Sequence, residues 1–186
     1  MALGDGSEKS SFRTAYLILM TFAVIGMMIC LLLYRYTEFF TNCGAFSSGY
    51  SLLSAHDLLR RFGGEVGYLA IVWLCGFTVF ALPCGIVYSL WRGFVCGFCA
   101  MTLSSAFRAG EFSLFTCVVI AVCSTLIPAL EICVAAKAQC FSASLRSAVP
   151  ELRLILSSRK TLRYTASMLF ICLFVFIFTI ILAIAF

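Results

Sequence analysis

Several long runs of apolar residues fill this sequence, and they constrain its fold more than any motif does. A run of about 18 or more apolar residues reads as a membrane-crossing helix. Hydrocarbon offers no partner to a backbone amide, and a helix pairs those groups internally. Such runs lie near residues 15–34, 66–88, 91–107, 112–136 and 168–186. Only 11% of the 186 residues are charged, against 63% apolar, whereas a soluble domain carries roughly 25% charged residues. The expected fold is all-α: an integral membrane helical bundle of about five transmembrane helices, forming one domain over residues 1–186.

The runs differ in quality. The first follows a polar start with Lys9 and Arg13 and, at twenty residues, exceeds the usual signal-peptide core, so it reads as an uncleaved anchor. The second contains Pro83, expected to kink it. The third has a short uninterrupted apolar part, at the length where a re-entrant segment competes with a full crossing. The fourth contains Pro128, expected to bend it. Between the first two runs lies a polar connection, 35–65, in which SLLSAHDLLRRF has the spacing of a short amphipathic helix.

The net charge of +5 does not point to nucleic acid, because the basic residues sit between apolar runs instead of along one face. Their placement is a topology signal. Short cytoplasmic loops are enriched in Lys and Arg. Alternate segments place Lys9, Arg13, Arg92, Lys137, Arg146, Arg153, Arg159, Lys160 and Arg163 on one side and Arg35, Arg60, Arg61 and Arg108 on the other. The expectation is a cytoplasmic N-terminus, a cytoplasmic basic loop at 137–163, an outer loop at 35–65 and an outer C-terminus. The stretch PELRLILSSRKTLRY in the basic loop suits either a solvated connector or a helix lying on an anionic leaflet.

Few residues invite chemistry. Glu131 is the only carboxylate well inside an apolar run, and such a group is a functional-site hypothesis by default. Arg92, expected in the turn between the second and third runs, is its natural partner, and structural pairing is preferred over an ion or proton site. Cys96 and Cys99 form a CxxC, but nine of the eleven cysteines lie in apolar runs, where they act as small apolar residues. Chance spacing is the simpler account. Gly93 and Gly97 form GxxxG, with Gly76 and Gly85 on the preceding run, a pattern that lets helix backbones approach closely. His56 is the only histidine, so histidine-based metal sites and Ser-His-Asp catalysis lack residues. Neither GxxxxGK[ST] nor HExxH occurs. No catalytic, cofactor-binding or metal-binding residue is assigned and no cofactor is expected. The structural candidates are Gly76, Pro83, Arg92, Gly93, Gly97, Pro128 and Glu131.

An ordered set within 69–98 carries a resemblance: Trp73, Leu74 and Gly76, then Pro83, then Leu90, Arg92 and Gly93, then Gly97 and Phe98, with Ile127 and Pro128 later. This pattern resembles the stage II sporulation protein M family of bacterial membrane proteins. Ala81 stands where that pattern has a glycine, and the cysteine content is unusual for it. The resemblance implies a non-enzymatic, multi-pass protein of the bacterial cell membrane. Such a protein would act as a scaffold holding peptidoglycan hydrolase partners at the septal membrane during sporulation engulfment. The partners so implied are the lipid bilayer and other membrane or cell-wall-associated proteins, without nucleic acid. A permease-like transporter component is the alternative, and a thiol oxidoreductase using Cys96 and Cys99 a distant third.

Overall fold

The computed structural model describes residues 4–36, 55–110, 112–146 and 159–185, and side chains within 10–34, 63–110, 112–146 and 161–181. Five helices account for nearly all of it, with no strand among the described residues. They are α1 (Gly4–Tyr36), α2 (Ala55–Cys75), α3 (Ala81–Arg108), α4 (Leu114–Arg146) and α5 (Arg159–Ala185). Four contain a stretch long and apolar enough to cross a bilayer: Ser10–Tyr34, Ala81–Arg108, Leu114–Arg146 and Thr161–Ile181. The chain is thus the all-α membrane bundle its apolar runs predict.

The second and third spans are divided differently from the sequence expectation. Residues 66–88 do not form one kinked helix; α2 ends at Cys75, residues 76–80 turn, and α3 runs unbroken from Ala81 to Arg108. Pro83 explains the division. Inside a helix it would forfeit the bond to the carbonyl of Val79 and press its ring against that group. In the first turn of α3 the missing N–H has no helical acceptor to lose, and regular pairing starts with Cys84 N donating to Phe80 O at 3.0 Å. The re-entrant alternative for 91–107 therefore gives way to a full-length helix. The apolar part of α2 shortens to Gly63–Cys75, about 20 Å at ~1.5 Å per residue.

The turn itself leaves few backbone groups to chance. The N–H groups of Gly76, Phe77 and Thr78 donate back to the carbonyls of Trp73, Leu74 and Cys75 at 2.9–3.0 Å. The Thr78 hydroxyl donates to Cys75 O at 2.8 Å and accepts from Phe80 N at 3.2 Å. Two distant helices hold it in place: Ser142 of α4 donates to Thr78 O at 2.5 Å, and Tyr164 of α5 donates to Trp73 O at 2.9 Å. Around Tyr164 an aromatic cluster closes, with Phe141 stacked at 4.5 Å and Phe77 edge-on at 5.9 Å. Gly76 packs under the Tyr164 hydroxyl, where a Cβ would collide.

The other tight turn joins α3 to α4. Gly110, at φ 74, continues from the end of α3, the left-handed conformation in which helices commonly terminate. Ser113 then caps α4, its hydroxyl accepting from Thr116 N at 3.2 Å, as Ser commonly does at a helix start.

Contacts fix the helix directions. Along α3 and α4, Thr78 meets Ser142, Gly85 meets Gln139, Arg92 meets Glu131 and Cys96 meets Ser124, an antiparallel register. Along α1 and α3, Leu19 meets Gly85, Gly26 meets Leu90 and Cys30 meets Gly97, a parallel one. The start of α1, the 76–80 turn, the end of α4 and the start of α5 thus share one end of the bundle. Large apolar side chains such as Leu114, Phe115, Val87, Leu169 and Phe170 face outward, as expected of a lipid-facing surface.

Candidate functional site

The site begins with Arg92, whose position differs from the expected turn. It lies inside α3, about 16 Å along the helix from Ala81 and about 24 Å from Arg108 at ~1.5 Å per residue, and its side chain is only 8% exposed. The physical reason is compensation. An arginine flanked by apolar runs can occupy a helix interior only when acidic groups on other helices neutralise it, and two do so.

Glu131 of α4, fully buried, pairs with Nη2 of Arg92 through Oε1. Glu65 of α2 pairs with the same Nη2 through Oε2 and accepts from Nη1 at 3.4 Å through Oε1. The Arg92 Nε–H donates to the Tyr88 hydroxyl at 3.1 Å, one turn back on α3. Tyr68 and Tyr88 also set their rings against the guanidinium, 5.9 and 5.6 Å from its central carbon, a favourable cation–π arrangement. One cation therefore holds three helices together, with two carboxylates and two tyrosines around it.

Pairing Arg92 with Glu131 matches the preferred sequence reading, whereas Glu65 escaped it. At the head of an apolar run Glu65 reads as the last residue of an outer loop. The available signal was Tyr68 three residues later, which puts an acid and an amphipathic ring on one helix face. Oε2 of Glu131 is buried, and the Tyr88 hydroxyl is hydrogen-bonded to the Glu131 carboxylate.

Proline shapes the site from below. Pro128 lies inside α4 and supplies no N–H, so the carbonyl of Ser124, four residues earlier, loses its helical donor. The Cys96 thiol reaches across from α3 and donates to that carbonyl at 3.1 Å. One member of the CxxC is thus occupied with completing the neighbouring helix.

The GxxxG of α3 packs within the chain. A Cβ on Gly93 would strike the backbone of Ala23 and one on Gly26 the backbone of Leu90, while Gly97 would meet Cys30 at 3.0 Å. Glycines on both helices bring α1 and α3 into backbone contact, immediately beside Arg92. Among the described residues no three His, Cys, Asp or Glu side chains gather where a metal ion could sit. The side chain of His56, the segment containing Cys43 and the 147–158 part of the basic loop lie outside the described residues. No family model, curated protein or solved structure matches this chain.

Proposed function

We propose that this chain is a non-enzymatic membrane scaffold, acting in a bacterial cell membrane to hold cell-wall hydrolase partners at a septum, as the resemblance to the stage II sporulation protein M family implies. The observation that supports this reading is the use of Arg92. It binds α2, α3 and α4 to one another through Glu65 and Glu131, an arrangement suited to a fixed platform. Cys96 and the GxxxG glycines are likewise engaged between helices. In this reading the start of α1 and the basic residues Lys137, Arg146, Arg159, Lys160 and Arg163 face the cytoplasm, following the charge rule. The end of α5 faces outward.

Cross-linking from residues 37–54 in intact cells tests the proposal. Recovery of a wall hydrolase or its membrane anchor supports it. Recovery of an ATPase through the 147–158 segment instead supports a transporter component. One observation favours that second reading: the fully buried carboxylate of Glu131 within α4, since intramembrane carboxylates often mark ion or substrate paths. Substrate-dependent thiol labelling of Glu131→Cys in a cysteine-free background would establish such a path.

A further inference from the structure

The Arg92 cluster is unbalanced in charge. Two carboxylates, Glu65 and Glu131, share one guanidinium, and among the described residues no other cation stands against Glu131. Its remaining titratable neighbours are Tyr88 and Cys96 on α3, Tyr68 near Arg92 on α2, and Cys172 on α5. None of these supplies a positive charge. With both acids ionised, the centre of the bundle would hold one excess negative charge, and hydrocarbon and packed side chains offer it little solvation.

The two acids are not equivalent. Glu65 meets Arg92 through both oxygens and is 28% exposed at the side of the bundle. Glu131 is 0% exposed and meets Arg92 through Oε1 alone, with Oε2 enclosed in the bundle. A second ionised carboxylate with no exposure is the least tolerable feature of the cluster, and a hydrogen on it removes the excess charge.

We propose that Glu131 carries a proton at neutral pH, making the Glu65–Arg92–Glu131 cluster a single-proton binding site within the membrane. The bound proton sits on Oε2, the oxygen that Arg92 does not engage. Oε1 remains the acceptor for Arg92, and the ion pair proper is Arg92 with Glu65. Uptake adds one H⁺ from water and changes the net charge of the cluster from minus one to zero. This goes beyond the scaffold reading and does not depend on any partner.

Infrared spectroscopy of the full chain in lipid vesicles at pH 7 tests it, because a protonated carboxylic acid has a C=O stretch well separated from that of a carboxylate. The wild type is expected to show this band. It should move in D₂O and move again when glutamate is labelled with ¹³C. Glu131→Gln should abolish the band. Glu65→Gln should abolish it too, since Arg92 then neutralises a single remaining carboxylate. A wild-type spectrum without the band overturns the proposal, as does a band unmoved by ¹³C-glutamate or one that survives in Glu131→Gln. Because the isotope experiment uses the unaltered protein, failure of a variant to fold leaves the question decidable.

Discussion

Single side chains decide how the centre of this bundle is held. Arg92→Gln removes the cation between the part-exposed Glu65 and the buried Glu131, and breaking a buried pair in this way costs about 3–5 kcal/mol. The expected result is a lower midpoint for loss of helical circular dichroism on SDS titration, with a smaller shift for Glu65→Gln. Cys96 gives a second test. Cys96→Ala leaves the Ser124 carbonyl without a donor, at a cost of about 1–3 kcal/mol, while Cys96→Ser supplies a hydroxyl and should retain most of the stability. If both substitutions lower the midpoint equally, the hydrogen bond to Ser124 is not what Cys96 contributes.

The acid at 131 was legible because it stands alone among apolar neighbours, and a basic partner nearby in the same bundle follows from the cost of burying charge. The depth of Arg92 was not legible. Between two apolar runs a charged residue looks the same whether it marks a loop at the surface or a paired group in the interior. Only the positions of Glu65 and Glu131 on other helices separate the two cases. Cys96 was obscured for a related reason: its role depends on a proline 32 positions away.

At the level of helices, the decisive residue is Pro83. Because it occupies the first turn of α3, where it displaces no hydrogen bond, Pro83→Ala should change stability by less than about 1 kcal/mol, in contrast to the ~3 kcal/mol attached to a proline in a helix interior. Refolding equilibria of the two proteins in mixed micelles would measure this. The contact of α1 with α3 should be far less tolerant. Gly93→Ala places a methyl group against the Ala23 backbone, which cannot rotate away as a side chain would, and overpacking of this kind costs about 1–3 kcal/mol. The same measurement, made alongside Pro83→Ala, gives opposite expectations for two substitutions only ten residues apart. GxxxG spacing was readable from the sequence, but not its partner, because a small-residue stripe specifies close approach without specifying which helix approaches. The boundary between α2 and α3 was misplaced for a comparable reason. Proline constrains both a kink and a helix start, and the choice between them rests on Ser142 and Tyr164 gripping the turn from two other helices.

For the molecule as a whole, the alternating helix directions place the start of α1 and the α4–α5 ends together, with the ends of α3 and α5 opposite. A tag at the N-terminus and one between residues 147 and 158 should therefore react with an impermeant reagent from the same side of sealed vesicles, and a tag following α5 from the other. Labelling of the first two from opposite sides would contradict the fold itself, whichever way it is oriented. About five crossings were expected and four helices are long and apolar enough for one, whereas the all-α bundle was visible in the chain, since it follows from solvent preference alone. How α2 fits was not, because its apolar part is shorter than the ~30 Å of a typical hydrocarbon layer and its share of the run was concealed by continuity with α3.

The sharing of Arg92 by acids on α2 and α4 also bears on how such a chain is made. The third helix leaves the ribosome carrying an arginine that lipid rejects by about 2.5–3.5 kcal/mol at the centre of a helix, and both acids that neutralise it stand on other helices. Release of that helix into the bilayer by itself would strand its charge. Biogenesis is therefore expected to retain the earlier segments at the insertion machinery until the fourth helix emerges, so that the middle of the protein enters the membrane as an already matched set.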